Sequence, residues 1–420
     1  MKTEYNLRTL KHSVESFSRE ALEDRMKKYG FKSLSRMELF LWDLEMFLQL
    51  QNQLKEQIVL KGGAAVQLYL PVEHQRTSVD IDMICSAGAG DVEKALDSIS
   101  KAFDGKGSFF NFRLHRPKNP KTDLPLLTYY VDVPSVCTGN EVFKGSPGRQ
   151  QIKIEFFMTN EQCSATRIAS PAVFALETDK TYQVLPLDAL LGDKLTTLAV
   201  NSVGIPEERS DEYMKQVYDL ATLFEVRWRE ITFEEILRHF IARAENEAKQ
   251  RGISISISDI VLDIKNQMQK LSSIDIINDG DLKKRIDDFQ SLYLRREARK
   301  SLVEWAVTGR QLNFLADCVL GSKSQELLSL LNGIERQLKF EWIKEQARGE
   351  LIREFKESFI EEFGQHSEHA SNILKGKHPV RILWAVISPS NIEEIDAWVK
   401  EFFGSIDEIP RRTLGPSLVP

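Results

Sequence analysis

The stretch Val59-Leu-Lys-Gly-Gly-Ala-Ala-Val66, with Arg76-Thr-Ser-Val-Asp-Ile-Asp82 after it, decides how the chain reads. A short apolar run breaks into Lys61-Gly62-Gly63, and an Ala-rich helical run follows as far as Leu70. Val79 to Ile84 alternates as a strand does. Asp80 and Asp82 fall on one face, Val79, Ile81 and Met83 on the other. Adjacent carboxylates repel, so the pair is costly unless a cation lies between them. Hard divalent ions such as Mg²⁺ take oxygen ligands of this kind together with substrate phosphates. Glycines without a Cβ let the backbone approach a phosphate closely, and the following helix offers free N–H groups at its positive end. A glycine turn, a helix and an Asp-x-Asp strand in this order suit a metal–nucleoside triphosphate.

These residues resemble the nucleotidyltransferase superfamily that includes DNA polymerase β. Within it they look like the AbiEii/AbiGii-type toxin nucleotidyltransferases, which include the MenT group. The match is Lys61-Gly62-Gly63-Ala64-Ala65, then Arg76, Ser78, Asp80, Ile81 and Asp82, and the resemblance covers residues 55–225. The gap between the glycines and Asp80 is longer than in the minimal superfamily pattern but fits this subgroup. The resemblance implies an α/β fold. A polymerase-β-like domain with a mixed sheet and N-terminal helices is expected over residues 1–186. A mainly helical domain over 187–420, subdivided near 252, is expected to complete the cleft.

It also implies the remaining site residues. A third carboxylate is expected from a neighbouring strand: Glu155 in Gln151-Ile-Lys-Ile-Glu155 is the candidate, and Asp132 in Tyr130-Val-Asp-Val133 is its rival. Many family members carry Asp there, so Glu155 departs in length and leaves open a metal-binding or a base role. Lys194, in Gly192-Asp193-Lys194-Leu195, matches a lysine that contacts the triphosphate. Asp219, four residues after Lys215, matches an active-site Asp that orients the lysine or acts as base. From the residues alone, Lys215 and Asp219 also suit an i,i+4 ion pair. Asp80, Asp82 and Glu155 are thus the expected Mg²⁺ ligands, and Lys61, Gly62, Gly63, Arg76, Ser78 and Lys194 the expected nucleotide contacts. The function implied is that of a toxin in a toxin–antitoxin or phage-defence system. It would transfer nucleotides from an NTP to the 3′ end of tRNA, with a cognate antitoxin as partner. Transfer to a protein or small molecule, and nucleotide binding without catalysis, are the competing readings.

Composition sets wider bounds. With 420 residues the chain is long enough for two or three domains. A net charge of −6 excludes a polycation, so nucleic acid would need a local basic patch. The four cysteines are widely spaced, without metal-ligand spacing, as in a cytoplasmic protein with reduced thiols. No apolar h-region opens the chain and no run reaches membrane-span length, so no membrane partner is expected.

Elsewhere, residues 8–57 read as helical, with Glu38, Asp43 and Glu45 among apolar residues and Ser35 opening a capping box with Glu38; Ser33 is the weaker cap. Arg113, His115, Arg116, Lys118 and Lys121 form the densest basic stretch of the first half. Residues 281–308 read as one helix bearing Tyr293, Arg295, Arg296, Arg299, Lys300 and Trp305, a pattern suited to phosphate and base contacts. His366 and His369 lack a third ligand, and the last ten residues read as a loose tail.

Overall fold

Two helices open the chain, α1 (Arg19–Tyr29) and α2 (Leu34–Leu54). In α2 the run from Phe40 to Leu50 is buried all round, so this helix is a core element rather than an amphipathic cover. The computed structural model describes residues 5–103, 108–116, 125–138, 148–169, 178–206, 209–320, 326–338, 340, 345–366 and 379–404. Lys118, Lys121, His369 and the last ten residues lie outside these. The chain divides into two units. The first takes residues 1–226, 239–260 and 280–299; the second takes 227–238, 261–279 and 300–420.

The first unit is built on a mixed seven-stranded sheet. Its strands are β1 (Ile58–Lys61), β2 (Asp80–Cys85), β3 (Asn111–Leu114), β4 (Leu126–Ser135), β5 (Gly148–Met158), β6 (Thr166–Ala169) and β7 (Thr181–Val184). Their order is β3-β4-β5-β2-β1-β7-β6, which puts the acidic strand β2 in the middle. β2 runs antiparallel to β1 and parallel to β5. Along β2 the period-two alternation holds: Ile81, Met83 and Cys85 are buried, and Asp80 and Asp82 face the other way. Helices α3 (Gly62–Tyr69), α4 (Ala89–Phe103), α5 (Leu187–Thr197), α6 (Ser210–Arg227), α7 (Phe233–Arg251), α8 (Ile257–Ser272) and α9 (Gly280–Tyr293) follow in chain order. The edge strand β6 carries only the short pattern Thr-Arg-Ile-Ala, too little for a sequence reading to find.

The second unit is helical, with α10 (Leu302–Leu320), α11 (Glu326–Leu338), α12 (Glu345–Phe363), α13 (Pro379–Val386) and α14 (Ile392–Gly404). Aromatic rings from α12 and α14 knit its core: Phe355 lies 5.6 Å from Trp398 and 5.9 Å from Phe403. Just before α14, Asn391 closes the preceding turn by accepting from the Ser388 N–H at 2.7 Å. No helix among the described residues is long and apolar enough to cross a membrane.

Two local expectations are corrected. Ser33, not Ser35, caps α2: its Oγ accepts from Arg36 N at 3.3 Å. Glu38 cannot complete a capping box because β4 claims it, through Ser135 Oγ at 2.7 Å and Val136 N at 2.6 Å. The continuous helix over 281–308 is broken after Tyr293. Tertiary backbone bonds compete there, Thr77 N donating to Tyr293 O at 3.4 Å and Arg296 N to Gly30 O at 3.3 Å.

Buried acids anchor α2. The Glu45 carboxylate accepts from Lys11 N, His12 N, His12 Nδ1 and Gln49 Nε2, all within 3.1 Å. Replacing Glu45 with Ala strands these donors, and each stranded donor costs about 1–3 kcal/mol before relaxation. The expected loss is about 3 kcal/mol in urea denaturation with an unchanged slope; a loss under about 1 kcal/mol would remove this network as the anchor of the N-terminal segment.

Candidate active site

Register assembles the acidic cluster. Asp82 stands opposite Lys61 of β1 on one side and Glu155 of β5 on the other; Asp80 stands opposite Lys153. β1 ends because Gly62 takes φ +69°, a left-handed value. A Cβ at Gly62 would overlap the Asp82 carboxylate, and one at Gly63 would lie 2.8 Å from Arg76 Nη2 and 3.0 Å from Ser78 Oγ. The glycine pair is therefore what lets the bend touch both the acidic strand and the loop that precedes it.

Burial shifts these carboxyls. Asp82 is pushed up to about 6, first by burial and then by the charge of Glu155, with Asp80 adding to it and Lys61 and Lys194 opposing it. Burial also raises Asp80, and Glu155 and Glu212 add to that, against the charges of Lys153 and Lys215. Glu155 pairs with Lys153 at 2.7 Å. Beside Asp80 opens a hollow of about 410 Å³, walled in part by Arg36, Tyr130 and Lys153.

A second cluster lies under the bend. Asp219 of α6 is fully buried and accepts from Arg76 Nε at 2.7 Å, Arg76 Nη2 at 2.6 Å and Lys194 Nζ at 2.9 Å. Burial alone would raise its pKa, but Arg76 and Lys194 hold it below the usual carboxylate range. Lys194 also donates to Gln216 Oε1 at 2.5 Å. On α5, Asp193 takes Arg243 Nε at 3.0 Å and faces Lys61 Nζ at 3.9 Å. Ser78 is buried beside Gly63.

The structure thus brings Lys61, Gly62, Asp82 and Glu155 together, and Gly63, Arg76, Ser78, Lys194 and Asp219 beneath them. Asp132 sits apart: it binds Arg113 at 2.8 Å, Asn111 at 3.0 Å and Gln151 at 3.1 Å. Gln151, Asn111 and Arg113 hold its carboxyl low against the pull of burial. Lys215 is not the ion-pair partner of Asp219. Its Nζ lies 4.6 Å from the centre of the Tyr293 ring, because Arg76 and Lys194 already fill the Asp219 carboxylate.

Two neighbours escaped the sequence reading. Asp43 of α2 is buried with no hydrogen-bond partner among the described residues, and burial, then Asp80 and Asp82, raise it well above the carboxylate range. Its signal was an acid inside an otherwise apolar run. Arg36 stacks on Tyr293 at 4.2 Å, a contact between segments too far apart in sequence to pair by pattern.

As a donor set, Asp80, Asp82 and Glu155 offer only carboxylate oxygens, which fits a hard divalent cation such as Mg²⁺. A cation would also offset the charges of Glu155 and Asp80, which add to burial in raising Asp82. Among the described residues no three His, Cys, Asp or Glu side chains converge at metal-binding distance, with Glu155 drawn to Lys153 instead.

No curated protein matches the sequence of this chain. Solved structures similar to it include JHP933 from Helicobacter pylori, 14% identical, with a TM-score of 0.39 over 72% of this chain and 99% of the other. Another is MenT4, a nucleotidyltransferase toxin from Mycobacterium tuberculosis, 12% identical, with a TM-score of 0.44 over 70% of this chain and 89% of the other. The family model for the nucleotidyl transferase AbiEii toxin of type IV toxin–antitoxin systems matches residues 47–304, well past the 225 reached by motif. That match takes in β1, the glycine bend, the acidic strand, Lys194, Asp219 and Tyr293, more than half of the chain; the protein belongs to the AbiEii toxin family and is a nucleotidyltransferase.

Proposed function

We propose that this toxin transfers nucleotides from an NTP to the 3′ end of tRNA in the cytoplasm, with Mg²⁺, and is countered by a cognate antitoxin. The observation that carries the reading is the register of Asp82, set between Lys61 and Glu155 with Gly62 bent against it. Asp80, Asp82 and Glu155 would hold Mg²⁺. A bound divalent cation supplies positive charge against the triphosphate. The backbone at Gly62 and Gly63, the start of α3 and Ser78 cradle phosphate oxygens. Lys61 and Lys194 offset charge that builds on the departing pyrophosphate as the acceptor hydroxyl attacks the α-phosphorus. Arg76 spends three N–H groups on Asp219 and on Thr77 O, so it serves as a strut. Asp219, with both oxygens engaged, is a positioning residue for Lys194 rather than a base.

The test is incubation with each labelled triphosphate, Mg²⁺ and total RNA or lysate. Label on tRNA is expected. Label on protein or on a small molecule would replace the acceptor, and label nowhere would reduce the site to nucleotide binding.

Asp80→Ala is expected to lower transfer at least 10³-fold and to abolish growth inhibition at equal expression, while melting no lower than wild type. Persistent toxicity would remove Asp80 from the site.

The raised Asp82 carboxyl gives a pH signature. The fold binds this proton more tightly than the unfolded chain, so ionising Asp82 weakens the fold. The loss accrues as pH rises from about 4 to about 6 and is complete above. The gap between about 6 and the ordinary 3.8 corresponds to at most about 3 kcal/mol. In EDTA, Asp82→Asn should therefore gain stability relative to wild type between pH 4 and pH 7, while losing activity. A difference that stays flat with pH contradicts the crowding described above.

A further inference from the structure

Tyr293 is a buried ring with cations gathered on it. Arg36 of α2 lies 4.2 Å from its centre and Lys215 of α6 lies 4.6 Å from it. Arg76, at 6.0 Å, is answered by Asp219. Among the described residues, neither Arg36 nor Lys215 has a carboxylate within ion-pair distance. A ring face attracts a cation but does not neutralise it. Two like charges held on one side chain leave a place for an anion.

The charges around β2 sort into two sides. Asp82 feels Lys61 and Lys194; Asp80 feels Lys153 and Lys215. The Asp82 side holds the glycine bend and, on the reading above, the triphosphate. The Asp80 side opens into the hollow of about 410 Å³ beside Arg36, Tyr130 and Lys153. A second hollow of about 410 Å³ has Arg36 in common with the first and is lined also by Tyr293, Lys284, Arg285, Asp281 and Asp288. Each is the size of a small-ligand site. Two such spaces joined at an unneutralised arginine suit a ligand of repeated units linked by a charged group. An arginine fork recognises such a phosphate well.

We propose that Arg36 and Lys215, positioned by the Tyr293 ring, bind a backbone phosphate of a single-stranded RNA acceptor. The terminal nucleoside then occupies the hollow at Asp80 and the preceding one the hollow at Lys284 and Arg285. The transfer reading supplies only the direction of the strand; the binding claim stands without it.

The test is binding, in EDTA, of a 5′-fluorescein RNA hexanucleotide to the full chain, followed by anisotropy across a salt series. Arg36→Gln should weaken binding about tenfold and lower the salt slope by about one. Lys215→Gln should act in the same direction, and Arg36→Lys should recover part of the loss. ATP affinity, measured separately, should change less than twofold in Arg36→Gln. The proposal falls if the hexanucleotide does not bind the wild type, if Arg36→Gln and Lys215→Gln bind it like wild type, or if ATP binding weakens as much as RNA binding. The last result would give Arg36 to the triphosphate. Failure to label tRNA in the transfer assay leaves these binding results untouched, so the two readings are separable.

Discussion

Asp219 is charged and has no surface in water. An isolated carboxylate so placed would take up a proton. Here a bidentate guanidinium and an ammonium hold it ionised, and the three groups come from three parts of the chain. Arg76 belongs to the loop before β2, Lys194 to α5 and Asp219 to α6. Remove the anion and two cations are stranded inside, so the triad fixes these segments together or not at all. The loop has no regular structure, yet Gln75, Arg76, Thr77 and Ser78 are all buried. Side chains replace the missing ladder: Gln67 Oε1 accepts from Arg76 N at 2.8 Å, and Gln75 donates to Leu70 O at 2.8 Å. An irregular segment held this firmly can deliver Asp80 and Asp82 to the bend in a fixed position.

Neighbouring acids that are equally buried are shifted in opposite directions. Asp219 and Asp193 are pushed down because the cations they face, Arg76 and Lys194 for the first and Lys61, Arg243 and Lys194 for the second, outweigh burial. Asp82 and Asp43 are pushed up by burial first, and the acids beside them add to it. Burial pushes all four upward; facing cations overcome it at Asp219 and Asp193, and neighbouring acids add to it at Asp82 and Asp43. The first kind of acid builds the frame. The second kind holds protons that a cation could displace, and it marks the place where structure has been sacrificed to chemistry.

What could be read from the sequence was what is local. The glycine bend and the alternation of β2 lie within a few residues, and there backbone sterics and period-two geometry leave little choice. Sequence pattern alone does not rank Glu155 against Asp132; their strand positions separate them, Glu155 standing against Asp82 and Asp132 bound to Arg113. Contacts between distant segments were out of reach. Ser35 had the spacing of a cap, but Glu38 had a better use in β4. Lys215 had the spacing of a partner for Asp219, but that carboxylate was already filled. In both cases a weak local preference lost to a buried hydrogen bond, the stronger term by far.

The break after Tyr293 brings a later stretch of chain back to the first unit. Nothing in Leu294-Arg295-Arg296 forbids a helix, and an uninterrupted one would carry the chain straight on. Instead Tyr293 O takes the amide of Thr77, and Arg296 N reaches back to Gly30. Residues 280–299 thereby rejoin the first unit, although 261–279 belong to the second. None of these residues belongs to the seven-stranded sheet or its glycine bend. Their return places an aromatic ring beside Arg76, the strut of the site, and beside Arg36 and Lys215, neither of which has a carboxylate within ion-pair distance among the described residues. A cation needs something to hold it in place when no acid is available, and a ring can do so without cancelling its charge. The segment that arrives last in the sequence is thus the one that keeps positive charge available at the edge of an acidic site.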